Sequence, residues 1–210
     1  MKLGYCENMP WIDIPAFTWS WIPTWLVELD IRIKTPVVLN EIVFPRLESF
    51  SISWNNLAVV PELNGRDIIP NLRVATPHLK ALLVNPNRSP ERPTLHLAQL
   101  PTGLTSLTGQ YRQVVPVQGL DYHWPPGLTT LNLILERLGN VWAHFPPSLV
   151  HLSCYVGDGG RFVADKIDWT LAHLPHLLSL GIPSIGTTTK QISQLPDQLT
   201  SLELFDHFSG

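Results

Sequence analysis

Trp124-Pro-Pro-Gly-Leu-Thr-Thr-Leu-Asn-Leu133 is answered, 21 residues downstream, by Phe145-Pro-Pro-Ser-Leu-Val-His-Leu-Ser-Cys154. In both stretches an apolar residue precedes a proline, and the frame Leu-x-x-Leu-x-Leu follows, with Cys154 in the last place of the second copy. The last two apolar positions of the frame alternate with polar ones, the period of a strand buried on one face. Upstream the same phrase starts at Ile22, Phe44, Thr76 and Leu100, and downstream at Leu174 and Leu195. The first leucines are Leu26, Leu47, Leu79, Leu104, Leu128, Leu149, Leu177 and Leu199. Their spacing runs from 21 to 28 residues, apart from 32 between Leu47 and Leu79. Such a unit accommodates a strand, a turn, a return segment and a turn back. Eight copies therefore predict one solenoid domain over residues 1–210 with a parallel sheet along one side.

Leu3-Gly-Tyr5 fits the second half of the same frame and predicts a further strand, for about nine in all. Prolines fall three residues before the first leucine (Pro23, Pro101, Pro125, Pro146, Pro196) or two before it (Pro45, Pro77, Pro175). Proline fixes φ and offers no N–H, so it suits the approach to a strand and not its interior. With 20 prolines and only 15% charged residues, the convex side is expected to be extended or 3₁₀ with little α-helix. The best helix candidates are Asp165–His173 and Thr188–Leu195. The excess of the long unit, around Pro61–Asp67, is expected to protrude as a loop.

These residues resemble the leucine-rich repeat superfamily, in its proline-led LPxxLxxLxL forms, and the resemblance covers essentially the whole chain. It implies a curved solenoid whose concave sheet binds another protein. The chain departs from the family pattern at the asparagine eight places after the first leucine. That residue is clear at Asn55 and Asn87 and fits at Asn8, whereas Lys34, Arg112, Glu136, Gly157, Ile185 and His207 stand there in the other units. The backbone groups an asparagine ladder would satisfy must then find other partners.

Composition narrows the function classes. Fourteen basic against 17 acidic residues give a net charge of -3, which is no footprint for nucleic acid or an anionic membrane. Cys6 and Cys154 fall on distant turns, so both are expected as reduced thiols, and the compartment as cytoplasmic. Glu7, Pro10 and Asp13 interrupt any apolar run at the N-terminus, so no signal peptide is expected.

The strand frame places Ser, Thr and Asn at most concave positions, with acidic residues at both ends. Small hydroxyl residues there fit two readings: close packing on a crowded sheet, or a recognition groove. The binding candidates are Tyr111, His151, Tyr155, Glu203 and Phe205, because aromatic residues carry a disproportionate share of interface energy. Trp11, Trp19, Trp21 and Trp25 are expected to cover one end of the solenoid. No catalytic constellation emerges. Gly181-Ile-Pro-Ser184-Ile-Gly186 is not a nucleophile elbow, and Gly157-Asp-Gly-Gly160 lacks the lysine of a phosphate loop. His173-Leu-Pro-His176 is broken by Pro175 as a metal pair, and His144, His151 and Cys154 have no ligand spacing. The Asn87-Arg-Ser89 sequon is discounted, because Asn87 takes the buried ladder place and Pro90 follows. The expectation is a non-enzymatic interaction module without cofactor or metal. Two alternatives stand beside it: a recognition arm of a larger enzyme such as a ubiquitin ligase, and a structural subunit stacking end to end.

Overall fold

A computed structural model of the chain describes residues 22–33, 43–54, 72–86, 92–116, 122–136, 141–156, 170–184 and 187–205. Each phrase delivers one strand: β1 (Glu28–Ile33), β2 (Ser49–Trp54), β3 (Ala81–Pro86), β5 (Ser106–Tyr111), β7 (Thr130–Leu135), β8 (His151–Val156), β9 (Ser179–Pro183) and β10 (Ser201–Phe205). They form one eight-stranded parallel sheet in the order β1-β2-β3-β5-β7-β8-β9-β10, which makes the chain a β-solenoid with little helix. The register is strict, so that Leu131 faces Leu107 on one side and Leu152 on the other. The strand expected at Leu3–Tyr5, the loop at Pro61–Asp67 and the tryptophans Trp11, Trp19 and Trp21 lie outside the described residues.

The prolines act through one repeated turn. In every unit the N–H of the first leucine donates to the carbonyl three residues earlier, as from Leu104 to Pro101 and from Leu79 to Thr76. Proline three residues before the leucine is the first residue of this turn, where its carbonyl is used and its missing N–H costs nothing. Proline two before the leucine is the second turn residue, where φ near −65° is already required. The two proline registers seen in the sequence are thus two ways of making the same turn.

The apolar columns build the core. The first leucines from Leu26 to Leu177 are almost completely buried, as are the strand residues Leu29, Phe50, Leu82, Leu107, Leu131, Leu152 and Leu180. Burial at this level stabilises by about 1.5–3 kcal/mol per side chain, which outweighs any local propensity term. Apolar residues ahead of the prolines close the far side of the core: Trp124 and Phe145 have ring centroids 5.7 Å apart, and Trp142 meets Phe145 edge-on at 5.3 Å.

The strand entries carry a hydrogen-bond ladder of their own. At every junction of the large sheet, two successive N–H groups donate to one carbonyl of the preceding turn, as Thr129 and Thr130 do to Thr105. Threonine hydroxyls reinforce this ladder: Thr105, Thr129 and Thr200 donate to the carbonyls of Lys80, Thr105 and Leu178 at 3.0, 3.2 and 3.0 Å. At the asparagine place itself, Arg112 and Glu136 of neighbouring units form an ion pair at 3.6 Å.

The described parts of the return segments carry only short elements. They include a second parallel pair, β4 (Leu95–His96) with β6 (Val114–Val115), two 3₁₀ turns at Leu97–Gln99 and Val141–His144, and two single-turn helices, α1 (Leu72–Ala75) and α2 (Thr189–Ile192). Of the helix expected over Thr188–Leu195 only a single turn forms, α2, with Ser193–Leu195 leaving it as turn and bend. Its start is fixed by a capping box in which the Gln191 N–H donates to Thr188 Oγ1 while Thr188 N–H donates to Gln191 Oε1. The candidate over Asp165–His173 falls largely outside the described residues, and Thr170–His173 within it is turn.

Candidate functional site

The sheet has one face against the core and one open face. Strand alternation assigns Ser153, Asn132, Thr108 and their neighbours to the open face, where they are half-buried by adjoining strands. From β3 to β7 this face is mostly a pavement of polar side chains, tied across strands by contacts such as Gln110 Nε2 donating to Asn85 Oδ1 at 3.1 Å. Leu83 and Ile134 interrupt it.

The C-terminal third of the open face is different. Register sets three strands side by side, with His151, Ser179 and Ser201 in one row and Ser153, Gly181 and Glu203 in the next. Tyr155 and Phe205 come from the two outer strands, separated by the whole width of β9. Their rings nevertheless meet, with centroids 4.1 Å apart and planes inclined by 34°. Adjacent strands are about 4.8 Å apart, so both side chains must lean inward over the middle strand.

Gly181 makes that possible. A Cβ at this position would stand 2.7 Å from Phe205 Cε2 and 2.6 Å from Ser153 Oγ. The aromatic pair therefore occupies the space that a side chain of β9 would fill, and Gly181 is buried beneath it, breaking the alternation of that strand. Tyr155 is also held by polar neighbours. Partial burial raises its phenol above the ordinary value, a hydrogen bond with the Ser153 side chain opposes the rise, and the Glu203 carboxylate adds to it. The carboxylate thus lies within electrostatic reach of the phenol.

Four of the five residues expected from the sequence are gathered here: His151, Tyr155, Glu203 and Phe205. Tyr111 is a correction. It is completely buried on the core side of β5, in line with Leu107 and Gly109, and cannot touch a partner on the open face. Period-2 counting from Leu107 already carries that information, since residues 107, 109 and 111 share one side. The residues not singled out from the sequence are Gly181 and Ser153. Their signal is a glycine in an outward position whose flanking strands carry aromatic residues, Tyr155 and Phe205, one outward row further on.

Histidine and cysteine serve other ends. His151 and Cys154 project from opposite faces of β8, Cys154 being buried. His173 Nε2 donates to the Trp142 carbonyl at 3.1 Å, a structural bond between return segments. Among the described residues, no group of three or more His, Cys, Asp or Glu side chains could hold a metal ion. No described helix is long and apolar enough to cross a membrane. No family model, curated protein or solved structure matches the chain.

Proposed function

We propose that this chain is a non-enzymatic recognition module of the leucine-rich-repeat type, which binds a protein partner on the C-terminal third of the open sheet face. The observation that carries the reading is the Tyr155–Phe205 pair over Gly181. Two aromatic rings held on a rigid sheet offer contact area at low entropic cost, the character of interface anchors. A cytoplasmic setting agrees with a buried, unpaired Cys154. Affinity purification from the native source with the unaltered chain and the Tyr155→Ala/Phe205→Ala variant, compared by quantitative mass spectrometry, tests it. A partner held equally by both forms would overturn the assignment to this face.

A second reading, association through the sheet edge, is favoured by one observation. The core-side residues of β10, Leu202 and Leu204, are 38% and 41% exposed, whereas Leu180 and Ile182 of β9 are 1% and 0% exposed. Exposed apolar residues on an edge strand invite pairing with another chain. Sedimentation equilibrium at high protein concentration distinguishes the two readings, since a monomer throughout would remove the second.

A further inference from the structure

We propose that the Tyr155–Phe205 pair, with Glu203 beside it, is a seat for an arginine side chain presented by the partner protein. The inference rests on the reading of this face as a recognition surface, and it adds the chemistry of what is recognised.

Charge on the open face points to a cation. From β3 to β10 the outward positions carry no lysine or arginine, and Glu203 is their only carboxylate. Glu203 is exposed, and among the described residues no basic group pairs with it. An ordinary surface carboxylate needs no partner. This one is set on a rigid strand, one register row from two aromatic rings, and its charge reaches the Tyr155 phenol.

The geometry suits a planar cation in particular. Both rings are half-buried, so each keeps part of its surface open, and a guanidinium stacks on an aromatic face while its N–H groups remain available at the edge. Glu203, one register row from the pair, can take two of those N–H groups, and the Ser179 and Ser201 hydroxyls in the row beyond can accept others. An ammonium group could use the charge but not the stacking plane. A carboxylate or phosphate would meet Glu203 with no lysine or arginine at the outward positions from β3 to β10 to balance it. An apolar side chain could use the rings but would strand the carboxylate against an apolar surface.

Selection of a random peptide display library on the full-length chain tests the proposal, with depletion on the Tyr155→Ala/Phe205→Ala variant. Recovered peptides are expected to share an arginine. Binding of a synthetic peptide of that sequence should fall about tenfold on Glu203→Gln, the scale of one charge-assisted hydrogen-bonded pair, and by a similar factor when citrulline replaces the arginine. Tyr155→Phe, which keeps the ring, should retain most of the affinity, and circular dichroism of each variant separates lost binding from lost fold. Peptides that depend on Tyr155 and Phe205 but share an apolar or acidic residue, or that bind equally with citrulline or with Glu203→Gln, would overturn the arginine seat while leaving the recognition face standing. Failure to recover any peptide that depends on the two rings would overturn both.

Discussion

The ring of Tyr111 fills the place that a side chain at Gly109 would take: a Cβ there would lie 2.7 Å from Tyr111 Cε2 and 2.8 Å from the Val84 carbonyl oxygen. Neighbouring units put Val84 and Leu133 at the Gly109 position of the core column. The gap left by one missing side chain is closed by an aromatic residue two places on. Backbone lies on one side of the gap, so relief by a rotamer change is blocked. Gly109→Ala is expected to destabilise the fold by about 2 kcal/mol through overpacking, read as a lower midpoint in urea.

The Tyr111 hydroxyl is buried without a hydrogen-bond partner among the described residues, and burial raises its pKa far above the ordinary value. Tyr111→Phe keeps the ring and removes the stranded hydroxyl. Its midpoint in urea is expected to stay level or rise by about 1 kcal/mol equivalent, and a clear fall would show that the hydroxyl is satisfied after all.

Gly181→Ala makes the contrasting case. Here the atoms in the way belong to side chains, Ser153 Oγ and the Phe205 ring, and both can turn toward solvent. The expected result is a loss of about 1 kcal/mol or less together with disruption of the aromatic pair. Near-ultraviolet circular dichroism and partner binding should change while the far-ultraviolet spectrum holds.

The threonine ladder is testable by isosteric replacement. Changing Thr105, Thr129 and Thr200 together to valine removes three hydroxyl-to-carbonyl bonds. Each is exposed to solvent, so each contributes at the low end, and the sum is expected near 1 to 1.5 kcal/mol. A triple variant as stable as the parent would leave the main-chain bonds as the whole of the junction.

Alkaline pH should weaken the fold. Burial pushes the Cys154 thiol from an ordinary value of 9.0 up to about 12. Above pH 9 the unfolded chain releases this proton while the folded chain retains it. The stabilisation is therefore intact below pH 9 and lost as pH rises toward 12. Tyr111 adds to the same slope above its ordinary value of 10.0. Urea midpoints measured across this range should decline, and Cys154→Ala should flatten the first part of the decline. Thiol-specific labelling at neutral pH should be slow until the chain unfolds.

Much of this molecule is legible from the phrase that Trp124–Leu133 and Phe145–Cys154 share. The strands fall where the Leu-x-x-Leu-x-Leu frame puts them, the prolines mark the turns, and His151, Tyr155, Glu203 and Phe205 reach the open face. Such features follow from local rules: period 2, fixed φ, and the need to bury every second side chain. Tyr111 shows how those rules are misapplied when an aromatic residue is read by its type and not by its parity.

Other features depend on residues far apart in sequence. The sequence alone determines that Gly181, Tyr155 and Phe205 lie on neighbouring strands. Only the tertiary structure decides that two side chains a full strand apart meet across a glycine, because that contact depends on which rotamers the missing Cβ leaves open. The same holds for Tyr111 beneath Gly109. A repeat sets the backbone by a pattern, whereas the gaps in the pattern are filled by whichever neighbour has the volume and the angle to reach them.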